Sequence, residues 1–144
     1  MAAFRMYLRL VSETLPVAEI SERLGADPDQ SWERGSRRRP EAPPRDHTLW
    51  ARHAEVPESD PRPEHLEPVV LGWGEDFARA VGELVAAGDA AASLEIVQEI
   101  RDIDDHLAKG IFLRPEMLEW LATARASLDI DQYIYHECPG AEDE

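Results

Sequence analysis

Trp32, Arg34, Arg37, Arg38, Arg39 and Arg45 crowd one proline-rich stretch of the chain, the most basic it contains. Arginines beside an indole could grip a phosphate, a carboxylate or a single-stranded nucleic acid, because the planar guanidinium bonds oxyanions in pairs and both groups stack. The same arginines could instead form a solvated loop that pairs with acidic groups elsewhere in the protein. Asp102, Asp104, Asp105 and His106 make a second cluster, a weak metal candidate: three carboxylates and an imidazole could hold a divalent ion. Their spacing fits no EF-hand loop, whose glycine and terminal glutamate are absent, and an acidic turn accounts for them more simply. His136, Glu137 and Cys138 offer a still weaker set.

Patterns for catalysis are thin. The chain has no Gly-x-Ser-x-Gly elbow, no Walker loop and no zincin helix. Val69-Val70-Leu71-Gly72-Trp73-Gly74 resembles a strand entering a dinucleotide fingerprint, but Phe77 stands at the third glycine position. Glu75 and Asp76 would also oppose a pyrophosphate there. No enzyme can be argued from these residues, and no cofactor is expected.

Charge narrows the partners. The net charge is −15, and it is unevenly spread. Residues 1–53 hold nine arginines against eight carboxylates, whereas residues 54–144 carry a net of −16. Such a surface repels nucleic acid and anionic lipid and would steer a basic protein toward it; it also serves solubility. The chain lacks any run of eighteen apolar residues, so no membrane span is expected. Arginines interrupt the apolar N-terminus, which argues against a signal peptide. The single cysteine, Cys138, can make no internal disulfide, and a cytoplasmic protein is the simplest expectation.

The elements that must position these groups read clearly in places. Phe4 to Val11 alternates, with Phe4, Met6, Leu8 and Leu10 on one face and Arg5, Tyr7 and Arg9 on the other, as a half-buried strand does. Pro16 to Leu24 predicts a short helix, with Thr14 a candidate N-cap and Gly25 its stop. Asp27 to Asp46 reads as one long irregular loop. Thr48 to Val56 predicts a second strand anchored by Trp50. A helical turn near Pro68, a break at Gly72-Trp73-Gly74 and a main helix over Glu75–Ala87 follow. Ser93 to Ile100 is the third strand, and Ile111 to Leu113 could return as a short one. Leu113 to Leu128 reads as a helix whose Met117, Trp120, Leu121, Ala124 and Leu128 share a face, feeding a strand over Asp129–Tyr135. Met117, Trp120, Leu121, Ile130 and Ile134 are expected in the core, with Asp129 and Asp131 capping a turn.

Several of these residues carry a family resemblance. Ile20-Ser21-Glu22-Arg23-Leu24-Gly25, Pro28, Gly35, the strand bearing Trp50, Leu94-Glu95-Ile96, Leu113-Arg114-Pro115-Glu116 and Leu128-Asp129-Ile130-Asp131 with Tyr133 or Tyr135 occur in that order. Together they resemble the bacterial domain-of-unknown-function family numbered 4279, across roughly Tyr7 to Tyr135, although the arginine loop is longer than that family leads one to expect. The resemblance implies a fold and brings no activity, cofactor or catalytic residue.

The fold expected is α+β, a two-layer sandwich: a mixed or antiparallel sheet of four to five strands with about three helices mainly on one face, the ferredoxin-like plan being a relative. Residues 1–136 would form one domain and 137–144 a flexible acidic tail. The function expected is a small cytoplasmic binding module acting through protein–protein contacts, immunity-type or regulatory, with a basic protein partner. It would bind no nucleic acid and no membrane, as a monomer or homodimer. The alternative is an anionic small-molecule binder or hydrolase using the Trp32–Arg45 loop.

Overall fold

A computed structural model describes residues 4–106 and 109–135. Within them lie β1 (Phe4–Ser12), α1 (Val17–Leu24), β2 (Gln30–Trp32), β3 (Thr48–Ala54), α2 (Pro63–Gly72), α3 (Glu75–Ala86), β4 (Ala91–Ile100), α4 (Pro115–Ala124) and β5 (Ser127–Ile134). The five strands form one open sheet in the order β2-β3-β1-β4-β5. Neighbours are antiparallel except β4 and β5, which run parallel. The architecture is α+β with a mixed sheet, as the sequence predicts; the expected tail and His136, Glu137 and Cys138 lie outside the described residues.

Period-two alternation divides the sheet into two faces. Leu8 and Leu10 of β1, Trp50 of β3, and Leu94 and Ile96 of β4 are all buried against the helices with Ile20, Val81, Leu84 and Met117. The two largest anchors satisfy their indole N–H groups while buried: Trp50 donates to the Ser21 hydroxyl at 3.0 Å, and Trp120 to the Gly74 carbonyl at 3.1 Å.

Several boundaries differ from the sequence reading. Pro16, not Thr14, stands at the N-cap of α1, and the Val17 N–H is satisfied by the Glu33 carboxylate at 2.8 Å. Ser12 takes the local role instead, its hydroxyl accepting the N–H groups of Thr14 and Leu15. The long loop contains the short edge strand β2, recruited by pairing with β3. The turn near Pro68 is a full helix, so four helices are described rather than three. Ile111–Leu113 forms no strand.

The last helix also ends early. Arg125 adopts a left-handed φ of 54° and closes α4, so Leu128 belongs to β5, where it lies beside Leu94. Met117, Trp120 and Leu121 are core, but Ile130 and Ile134 are 41% and 47% exposed. They lie on the helix-covered side of the sheet, yet on its outermost strand, beyond the reach of the helices.

Two contacts fix α4 in place. The carboxylate of Glu67, buried in α2, accepts the Arg114 N–H at 3.1 Å at the start of α4. Gly82 of α3 touches the α4 backbone so closely that a Cβ there would overlap the Thr123 carbonyl oxygen. In a free helix, glycine to alanine gains roughly 0.5–1 kcal/mol. Here the overlap is with backbone, and overpacking that displaces a helix costs about 1–3 kcal/mol or more. Gly82→Ala is therefore expected to destabilise the protein by about 2 kcal/mol, measured by urea denaturation; a stabilised variant would contradict the close helix approach.

Candidate functional site

The face of the sheet away from the helices carries the polar alternates of the same strands. Register aligns them in a row. Tyr7 of β1 lies opposite His53 of β3 on one side and Glu95 of β4 on the other, and Glu95 lies beside Asp129 of β5. Asp131 follows on the same face next to Val97. One line of residues, His53-Tyr7-Glu95-Asp129, thus crosses four strands.

Glu95 is the centre of this row. It is only 3% exposed, although it lies on the face without helices. Ser93 donates to its Oε1 at 3.0 Å and Arg9 approaches the same oxygen at 3.5 Å. Carboxylate oxygens of Glu95, Asp129 and Asp131 all lie within 4.8 Å of one another, the latter two exposed. Burial raises the Glu95 carboxyl above its ordinary pKa, and the neighbouring Asp129 adds to the rise against the opposing effects of Ser93 and Arg9. Tyr7 stacks on His53, with ring centroids 5.0 Å apart and planes 24° apart. Burial, and then the Glu95 charge, raise the Tyr7 phenol as well.

This arrangement can receive positive charge. Arg9 supplies one cation to Glu95 from within the protein, while Asp129 and Asp131 face outward with none of the described cations paired to them. An ammonium or guanidinium from outside suits that geometry, since charge-assisted bonds to carboxylates are the strong ones.

The arginines singled out in the sequence lie at the other end of the sheet. Trp32 is on β2, and the Arg45 guanidinium stacks 4.7 Å over its ring. The loop between is zipped by its own backbone, with Gly35 donating to the Arg45 carbonyl and Arg45 to the Ser36 carbonyl, each at 2.8 Å. Arg34 bonds the Glu13 carbonyl, Arg37 the Ala42 carbonyl, and Arg39 pairs with Glu41 at 3.2 Å. Arg38 is exposed. The loop is thus well structured, but the contacts of Arg34, Arg37, Arg39 and Arg45 run to different parts of their own chain. A cavity of about 350 Å³ near the loop is lined by Ser12, Glu13, Thr14, His47 and Asp89 rather than by these arginines.

Asp102, Asp104 and Asp105 form a turn after β4. The Asp104 N–H bonds the Asp102 carboxylate at 3.0 Å and the Asp105 N–H bonds the Asp102 carbonyl at 3.1 Å; His106 is exposed beside them. Among the described residues, the acidic groups that converge are Glu95, Asp129 and Asp131. The sequence reading assigned the two aspartates to a turn; both lie within β5, because pairing with β4 begins at Ser127. Strand alternation already placed Tyr7 opposite the buried residues of its strand, but which strands neighbour one another was not readable.

A family model described as Domain of unknown function (DUF4279) matches residues 2–135. The chain belongs to the DUF4279 family. No curated protein and no solved structure matches it. The DUF4279 match spans every element from β1 to β5, including all four strands of the polar row.

The raised Glu95 pKa has a consequence for stability. Folding favours its protonated form, so the contribution is fully present below the ordinary carboxylate pKa and is lost as pH rises through the raised value. Glu95→Gln removes that loss. Its melting temperature is expected to exceed that of the parent by about 2–4 °C near neutral pH, for each kcal/mol recovered. Close to pH ~4 the two should converge. Thermal melts across that range measure the difference, and an equal displacement at both ends would show that titration of Glu95 is not its cause.

Proposed function

We propose that this DUF4279 protein is a small cytoplasmic binding module, immunity-type or regulatory, that acts by contacting a basic protein. The observation that carries this reading is the convergence of Glu95, Asp129 and Asp131 on the face of the sheet that no helix among the described residues covers. The net of −16 over residues 54–144 supports it, since a field of that sign accelerates encounter with a cationic surface. No helix among the described residues is long and apolar enough to cross a membrane. The second reading, an anionic small-molecule binder or hydrolase built on the Trp32–Arg45 loop, has less support, because most of those guanidinium groups are engaged within the chain.

Charge reversal tests the proposal. Asp129→Lys with Asp131→Lys is expected to weaken binding of a lysine-rich peptide by on the order of tenfold, a cost of about 1.4 kcal/mol. Glu22→Lys with Glu64→Lys changes the net charge equally on exposed helix positions and is expected to have a much smaller effect. Isothermal titration at two salt concentrations measures both. Equal losses in the two double variants would reduce the interaction to net charge and sink the site.

A further inference from the structure

We infer that the basic partner docks as an added β-strand on the free edge of β5, through a segment whose residues alternate between cationic and apolar; this rests on the binding function proposed above. β5 ends the sheet, pairs on one side only, and all eight of its residues are exposed. The Tyr135 N–H donates to the Ile100 carbonyl at 2.9 Å. In a parallel ladder the bonding direction alternates along the strand. The odd-numbered residues therefore bond β4, while Leu128, Ile130, Gln132 and Ile134 turn their N–H and C=O groups toward the edge that no strand among the described residues pairs.

The two edges of the sheet are treated differently. β2, at the other edge, has three residues and is flanked by the zipped arginine loop. β5 is long and contains neither proline nor lysine, two of the usual means by which an edge is closed to strand pairing. Its only charges are Asp129 and Asp131, both negative and both on the face shared with Glu95. The other face presents Leu128, Ile130 and Ile134, each more than two-fifths exposed.

That pattern selects the occupant. An incoming strand places alternate side chains on opposite faces, so lysines or arginines meet Asp129 and Asp131 while apolar residues cover Leu128, Ile130 and Ile134. A second copy of the chain does not meet this requirement. Antiparallel pairing of two β5 strands about a two-fold axis keeps like faces together, so the aspartates of both copies share one face with no cation supplied by either β5, and like charges brought across strands are destabilising.

The test uses a peptide of about ten residues alternating lysine and valine, long enough to span β5. Its comparators are an isomer with the lysines in one block and a copy whose backbone is N-methylated at every residue. Titration against the intact protein is expected to show tighter binding of the alternating peptide, by about tenfold or more over both comparators. Hydrogen exchange should slow at Leu128, Ile130, Gln132 and Ile134. Ile130→Pro, which removes one outward N–H from an edge position that tolerates proline, should weaken binding more than Ile130→Ala. The methylated peptide tests the same bond on unaltered protein, should the proline variant not fold.

Equal binding of all three peptides without amide protection would overturn strand addition and leave the binding of basic partners standing. Failure of every basic peptide to bind would remove both. A stable homodimer that protects the same four amides would assign the edge to a second copy and overturn the proposal.

Discussion

The parallel ladder between β4 and β5 is the constraint on which the rest of the molecule depends. Antiparallel neighbours can be joined by a short turn, but parallel strands require the chain to cross the sheet before it pairs again. Here the crossing is made by α4, on the side that α3 already occupies. The close approach at Gly82 makes room for it, Glu67 holds its N-cap residue Arg114, and Arg125 turns the chain out of it within two residues of β5.

That ladder also sets the chemistry of the open face. It lays Asp129 beside Glu95, whose other neighbour is Tyr7, and so gathers acidic groups from two distant segments of the chain. One member is buried and two are exposed, so the cluster has an interior anchor and an outward-facing rim. Arg9 and Ser93 stabilise the anchor without neutralising the rim. The same pairing leaves Leu128, Ile130 and Ile134 on the margin, because α3 and α4 pack on each other over the middle of the sheet.

Much of this was legible in local pattern, and the failures share a cause. The alternation of Phe4 to Val11 gave both faces of β1 correctly, and Trp50, Met117, Trp120 and Leu121 are core as their spacing indicates. Ile130 and Ile134 have the same alternation but remain exposed, since alternation tells which face a residue takes and not whether anything covers that face. Leu128 fitted the helical period and went to the strand, because tertiary pairing outweighed local preference. The arginine loop drew attention by composition; most of its charges are engaged at home, a matter of loop geometry that composition does not encode.

By itself, the sequence determined the family, the α+β class, the strands and all but one of the helices that make the core, and a strongly acidic composition concentrated after residue 53. These follow from side-chain period, turn residues and charge, all properties of neighbours along the chain. The order of strands, the parallel partner of β4, the row from His53 to Asp129 and the open edge of β5 were decided only by the tertiary structure. Each depends on which segments meet across the sheet, and residues as far apart as Tyr7, Glu95 and Asp129 become neighbours only when hydrogen-bond register brings their strands together.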